Sequence, residues 1–193
     1  MNNVWFSSDL HFGHSRAFLY EPRGFTSIEE HDAAIIENWN KVVKPEDDVY
    51  LLGDLMLNDN ESGIAKLNQL NGTIYYIRGN HCSDMRCTLY KEKTNMIPLC
   101  GQFETSWAAV QKIYGCPIYL SHYPTIIGSL EDMPSIRRRI LGFSGHTHSK
   151  NKFYQDIPFM YNVALDAHNN TPVSFDEIIT DIEAKKKECL AML

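Results

Sequence analysis

Val4-Trp5-Phe6-Ser7-Ser8-Asp9-Leu10-His11 begins on three apolar, β-prone residues and ends on a polar cluster. The run predicts a strand over residues 3–8 that delivers Asp9 and His11 at its C-terminal end. The construction recurs. Residues 49–52 form a short apolar strand ending in Gly53-Asp54, and residues 73–77 form a β-branched and aromatic one ending in Gly79-Asn80-His81. Between the first two strands, Ile28, Ala34, Ile35 and Trp39 fit a helix over residues 27–43, with Ser27 and Glu30 as a capping box and Pro45 as the stop. A second helix is expected over about residues 61–70, ended by Asn71-Gly72.

The later half changes character. Residues 103–110 and 116–120 flank Tyr114-Gly115 as an antiparallel hairpin that ends in Ser121-His122. Residues 140–144 lead into Gly145-His146-Thr147-His148, residues 159–165 supply one more strand, and residues 175–190 a C-terminal helix. Alternating strand and helix followed by mostly strands predicts α/β layers with a mixed sheet system. Ligands gather at the strand ends of such sheets.

A chain of 193 residues, 44% hydrophobic and 22% charged, is expected to fold as a single domain over residues 1–193. Its formal net charge of −6 argues against gripping long nucleic acid through a global field, and long nucleic acid is the less favoured partner. The N-terminus lacks a basic lead and an apolar run, and no stretch approaches a membrane span, so no membrane partner and cytoplasmic residence are expected. Cys82, Cys87, Cys100, Cys116 and Cys189 contain no C-x-x-C pair and read as reduced thiols.

Asp9, His11, Asp54, Asn80, His81, His122, His146 and His148 thus fall at five separate strand ends. Each fragment is common by itself; their joint occurrence in this order is not. Oxygen and imidazole donors together suit a borderline divalent ion such as Mn²⁺, Fe²⁺ or Zn²⁺, whereas calcium takes oxygen alone. Seven of these residues are potential ligands, more than one ion takes from protein, and two ions sharing Asp54 as a bridge would use them all. A structural zinc protein is disfavoured, because the cysteines lie outside this set.

Asp9-x-His11, Gly53-Asp54, Gly79-Asn80-His81, Ser121-His122 and Gly145-His146-x-His148 resemble the motif set of the calcineurin-like metallophosphoesterase superfamily. Ser8-Asp9-Leu10-His11-Phe12-Gly13-His14, with Asn162-Val163 and Pro172-Val173-Ser174, further resembles its small single-domain bacterial and phage members. The resemblance implies two stacked mixed β-sheets flanked by helices, a four-layer αββα sandwich. It implies one metal on Asp9, His11, Asp54 and His148, and another on Asp54, Asn80, His122 and His146. The pair would be divalent, manganese first, with iron, zinc, nickel or cobalt as other occupants. A hydroxide bridging them would attack phosphorus while His81 assists the leaving group. The expected activity is a phosphodiesterase on small or nucleotide esters, with nuclease or phosphomonoesterase activity as alternatives and a catalytically silent scaffold last, since every ligand position is filled. Leu55-Met56-Leu57 after Asp54 departs from the V-D-R-G-like pattern of serine/threonine protein phosphatases and weakens that reading.

Other residues carry a bland reading beside a functional one. Cys82 reads as a small buried residue, with a redox-sensitive thiol as the alternative. His14 is a substrate or structural contact, and His31 and His168 carry no special expectation. Arg16 and Arg23 contribute either to substrate choice or to surface charge. Arg137-Arg138-Arg139 is a solvated face or a phosphate contact. Lys185-Lys186-Lys187 reads as the dipole-compatible last turn of the C-terminal helix.

Overall fold

Strand β1 (Val4–Ser7) lies parallel to β2 (Asp48–Leu52), with Val4 opposite Asp48 and Ser7 opposite Leu51. β2 is parallel to β3 (Thr73–Ile77), which is parallel to the edge strand β4 (Ile97–Pro98). This is the pattern of a computed structural model that describes residues 2–99, 106–125 and 140–191. A second sheet is built from the hairpin β5 (Ala108–Ile113) and β6 (Cys116–Ser121), then β7 (Leu141–Ser144) and β8 (Met160–Asn162) in parallel. β9 (Val173–Ser174) returns antiparallel to β1, giving sheet orders β4-β3-β2-β1-β9 and β5-β6-β7-β8. The two mixed sheets flanked by helices are the architecture the motifs imply.

Period-two alternation explains the layering. Val49, Leu51, Ile74 and Tyr76 face a core shared with Ile35, Trp39 and Tyr90 of the helices α2 (Ile28–Val42) and α4 (Asp84–Lys93). Phe6, Leu52 and Ile77 point the other way, into a core with Ile118, Leu120 and Phe143 of the second sheet and Ile178 and Ile182 of α5 (Phe175–Ala191). Phe6 meets Phe143 edge-on at 5.0 Å between centroids. Among the described residues beyond the strands, a bridge from Ser8 to Ala164 joins the sheets, so the residues following β1 and β8 meet at one end of the fold.

Several elements differ from the sequence expectation for identifiable reasons. Ser27 accepts a bond from the Glu30 amide, but the Glu30 carboxylate bonds Thr26 through its amide and hydroxyl, so the cap is not the reciprocal pair. Helix α3 (Asn60–Leu67) stops three residues early, tightening into single turns through Gln69 and Leu70. α1 (Ala17–Tyr20), α4 and β4 were not expected. The first is a single turn, α4 buries only Cys87 and Tyr90, and β4 has two residues ending in proline. The hairpin turns where expected, with Tyr114 and Gly115 both at positive φ, the two-residue I′ geometry. Its first strand begins at Ala108, and residues 103–105 of the expected strand lie outside the described residues. The C-terminal helix runs beyond the lysines, so they do not form its last turn; Lys185 bonds Asp156 at 3.1 Å.

Asp47 fastens the edge of this frame. Its buried carboxylate accepts from Asn3 N at 2.9 Å, Trp5 Nε1 at 3.0 Å and Lys44 N at 3.0 Å. Burial alone raises its pKa, but these donors outweigh it and hold it below the ordinary 3.8. Its contribution is therefore complete above pH 3.8 and is lost as pH falls through the depressed value. Asp47→Ala is expected to cost about 3 kcal/mol in urea denaturation at pH 7 and much less at acid pH. A pH-independent loss would show that the side chain acts through packing.

Candidate metal centre

The loops after β1 and β2 run side by side, Asp9 N bonding Gly53 O at 3.1 Å and His11 N bonding Asp54 O at 3.0 Å. Asp9, His11, Asp54, His146 and His148 all have φ between 49° and 70°. L residues visit that left-handed region at a cost, and clusters of such residues mark sites that the surrounding fold over-determines. Gly53, at φ 90°, leaves no room for a side chain: a Cβ there would stand 2.7 Å from the backbone of Gly79 and from His122 Nδ1. Cβ atoms on Gly79 or Gly145 would collide with the carboxylates of Asp54 and Asp9. The glycines before the polar residues therefore let three strand ends converge.

The convergence places acceptors against acceptors. Asp9 Oδ2 is used by the amide of His146 at 2.8 Å, leaving Oδ1 with no hydrogen bond, 3.7 Å from His11 Nε2 and 3.8 Å from His148 Nε2. Asp54 Oδ1 is used by the amide of His81 at 2.8 Å, leaving Oδ2 between His122 Nε2 at 3.3 Å and His11 Nε2 at 3.7 Å. His122 donates Nδ1–H to Leu52 O at 2.8 Å, because a carbonyl can only accept. Its Nε2 lone pair then faces Asp54 Oδ2 and, at 2.9 Å, Asn80 Oδ1. Among the described residues neither ring nitrogen of buried His11 has a hydrogen-bond partner. Donors bound to one ion at about 2.0–2.2 Å lie roughly 3.0–3.4 Å from each other, close to these spacings. Among the described residues, two groups could hold an ion: Asp9, His11 and His148, and Asp9, Asp54 and His122.

Electrostatics agree with mutual attraction across the cluster. Burial raises the pKa of Asp9 and Asp54, but the surrounding imidazoles outweigh it and hold both carboxylates ionised. Burial lowers His11, whereas in His122 the carboxylates of Asp54 and Asp9 overcome burial and raise the pKa. His146 lies against His122, ring centroids 5.0 Å apart. His81 sits beside His11 at 5.4 Å, with its carbonyl held by Arg86 Nη1 at 2.9 Å.

Two residues had a different meaning from the one expected. Arg23 is neither surface charge nor open to substrate. It is buried, bonds the Asp9 carbonyl at 2.8 Å, and grips Asp166 through Nε at 3.0 Å and Nη2 at 2.7 Å. Asp166 accepts from His148 Nδ1 at 3.0 Å and so turns the His148 Nε2 lone pair toward Asp9. Asp166 went unnoticed in the sequence, although a carboxylate just past a strand is the signal that marked Asp9 and Asp54. His31 extends the chain, receiving Arg23 Nη1 at 2.9 Å and donating to Asp32 at 2.8 Å. Asp32 in turn holds the Gly13 amide and Lys66.

The remaining candidates resolve simply. His14 is buried beside His11 and accepts from the Arg16 amide, while Arg16 itself is exposed. His168 donates to Asn162 O at 2.7 Å and stacks on Tyr161. Burial pushes the Cys82 thiol up to about 11, the signature of an inert core cysteine. Cys87 and Cys116 are buried, and Cys189 is half-buried. Arg137, Arg138 and Arg139 lie outside the described residues, as does Cys100. Among the described residues no helix is long and apolar enough to cross a membrane.

Comparison with known proteins places this geometry. The chain is 31% identical to the uncharacterized protein MJ1445 of Methanocaldococcus jannaschii over 194 residues, covering 96% of this chain and 94% of that protein. It is 27% identical to the Gene 66 protein of Mycobacterium phage D29, covering 95% and 98% respectively. The crystal structure of a protein of unknown function, AQ665 from Aquifex aeolicus, superposes with a TM-score of 0.68 at 25% identity, covering 93% of this chain and 99% of that one. The sequence signature described as calcineurin-like phosphoesterase matches residues 3–181, and the chain belongs to that family.

Proposed function

We propose that the protein is a two-metal phosphodiesterase of small or nucleotide esters. One ion would be held by Asp9, His11, Asp54 and His148, and the other by Asp54, Asn80, His122 and His146. The observation that carries this reading is the set of unshared lone pairs. Asp9 Oδ1, Asp54 Oδ2 and the Nε2 atoms of His122 and His148 face the same space with their other polar atoms already engaged, and Asn80 Oδ1 lies 2.9 Å from His122 Nε2. Divalent cations would relieve that arrangement, and Asp54, whose Oδ2 lies between His11 and His122, would be the residue shared by two of them. Manganese is the first choice for such mixed oxygen and imidazole donors.

When bound, a pair of divalent cations supplies a hydroxide nucleophile near neutral pH and compensates charge on the phosphoryl oxygens. The protein's own residues do the rest. Leu52 O and Asp166 fix the tautomers of His122 and His148, so their lone pairs point inward without reorganisation. The His146 and His81 amides lock the carboxylates of Asp9 and Asp54 in rotation. His81, half-exposed beside His11, holds the proton given to the departing alkoxide.

The test is hydrolysis of bis(p-nitrophenyl) phosphate beside p-nitrophenyl phosphate, after stripping metal and restoring Mn²⁺. Metal-dependent cleavage of the diester is expected. Cleavage of the monoester alone would make the protein a phosphatase, and failure on both would remove the diesterase reading. In the same assay Asp166→Asn, which keeps an acceptor but loses the charge that orients His148, is expected to weaken Mn²⁺ affinity about 10- to 100-fold in a competition titration. An unchanged affinity would reduce Arg23 and Asp166 to a structural pair.

A further inference from the structure

Next to the candidate metal centre lies an exposed aromatic pair that the cluster of carboxylates and imidazoles does not use. Trp107 and Tyr123 are 50% and 42% exposed, large apolar rings that burial alone would have hidden. They lie nearly parallel, 20° apart, with centroids separated by 6.5 Å. Rings in direct face-to-face contact would be about 3.5–4.0 Å apart, so these two do not cover one another, and their exposed ring surfaces together make an aromatic floor. The floor is anchored at both ends. The Arg78 guanidinium lies over one face of the Trp107 ring, 4.8 Å from its centre, leaving the rest of the exposed ring to a ligand, and is itself held by Asp84 at 2.7 Å and the Cys82 carbonyl at 2.8 Å. Ser106, just before Trp107, is tied to Leu99 and Arg78 through backbone bonds. Tyr123 is fixed through its carbonyl by the Ser121 hydroxyl at 2.7 Å.

The floor runs directly into the site. Tyr123 meets His146 at 4.6 Å and His122 at 5.3 Å between ring centroids. Arg78, Trp107, Tyr123 and His146 thus form one continuous series of planar groups that ends at the proposed ligands. A nucleotide can place a phosphate ester on those ligands and a planar ring on this floor, with its sugar spanning the step between. Stacking of bases on open aromatic faces is favourable for every base and requires no hydrogen-bond readout. The net charge of −6 sets the size of the ligand, since a long polynucleotide would be repelled where one or two nucleotides would not.

We propose that Trp107 and Tyr123 form a base-stacking subsite that selects nucleoside phosphate esters over esters without a base. The proposal rests on the phosphodiesterase reading, and the two can fail separately. The experiment compares kcat/KM for adenosine 2′,3′-cyclic phosphate and glycerol 1,2-cyclic phosphate in the Mn²⁺-loaded wild type, Trp107→Ala, Tyr123→Ala and Trp107→Phe. The preference for the nucleoside ester is expected to fall about 10-fold in each alanine variant and to survive in Trp107→Phe. A preference unchanged by both alanine substitutions overturns the subsite while leaving the phosphodiesterase intact. If the wild type cleaves neither ester, the phosphodiesterase reading is decided by bis(p-nitrophenyl) phosphate, and binding decides the subsite alone. Adenosine 5′-phosphate should then quench tryptophan emission with a Kd raised about 10-fold in Tyr123→Ala, and ribose 5-phosphate should not quench. Equal behaviour of the two ligands, or a Kd indifferent to Tyr123, overturns it.

Discussion

Asp54→Asn is expected to lower kcat/KM on a phosphodiester by about 10³-fold or more and to leave the protein folded. The side chain keeps its shape, but its two ends have different tasks. Oδ1 receives the His81 amide, and Oδ2 stands between His11 and His122. An asparagine that keeps its oxygen toward His81 turns its NH₂ toward two imidazole lone pairs and satisfies them as a donor, which removes the shared anionic oxygen. The reversed amide loses the His81 bond instead. Either way the metal-free protein loses a buried carboxylate that the surrounding imidazoles and the His81 amide favour in its ionised form. Its melting temperature without metal should therefore fall by a modest amount, far short of the loss that a damaged core produces. A variant that is inactive and also strongly destabilised without metal would point to a structural role for Asp54.

The second large effect belongs to His81. Its replacement by alanine is expected to lower kcat about 10²- to 10⁴-fold on esters with an alkoxide leaving group, while metal content stays at the wild-type level. p-Nitrophenolate leaves without much need of a proton, so the deficit should shrink on bis(p-nitrophenyl) phosphate. That difference between substrates is the signature of proton donation. Loss of both metals in His81→Ala would instead make the residue part of the metal-holding framework. The Asp54 carboxylate bonds the His81 backbone amide, which alanine retains, so the framework should survive.

Much of this was legible because the motif residues follow strands. Asp9, Asp54 and Asn80 each stand just past a run whose alternation is simple, and parallel pairing of β1, β2 and β3 necessarily brings those ends together. His122, His146 and His148 required the second sheet, whose strands could be read individually but whose meeting with the first, at the Ser8–Ala164 bridge, left no local trace. Polar residues on a helix face were harder. His31 and Asp32 occupy the buried stripe with Ile35 and Trp39, and a periodicity argument has no means of expecting a buried imidazole and carboxylate there. They are tolerated because Arg23, Lys66 and the Gly13 amide satisfy them. Arg23 was visible as a residue but not as a partner, since Asp166 lies 143 positions away. The left-handed backbone of Asp9, His11, Asp54, His146 and His148 was also hidden, because aspartate and histidine occur in many ordinary conformations.

The most direct test of the central claim is the number of metal ions per chain, measured by elemental analysis after Mn²⁺ loading and gel filtration, in the wild type and in Asp54→Asn. Two ions per wild-type chain, falling to one or none in the variant, is the predicted result. A wild type that retains no metal, or two ions equally retained without the Asp54 carboxylate, would contradict a two-metal centre bridged by Asp54.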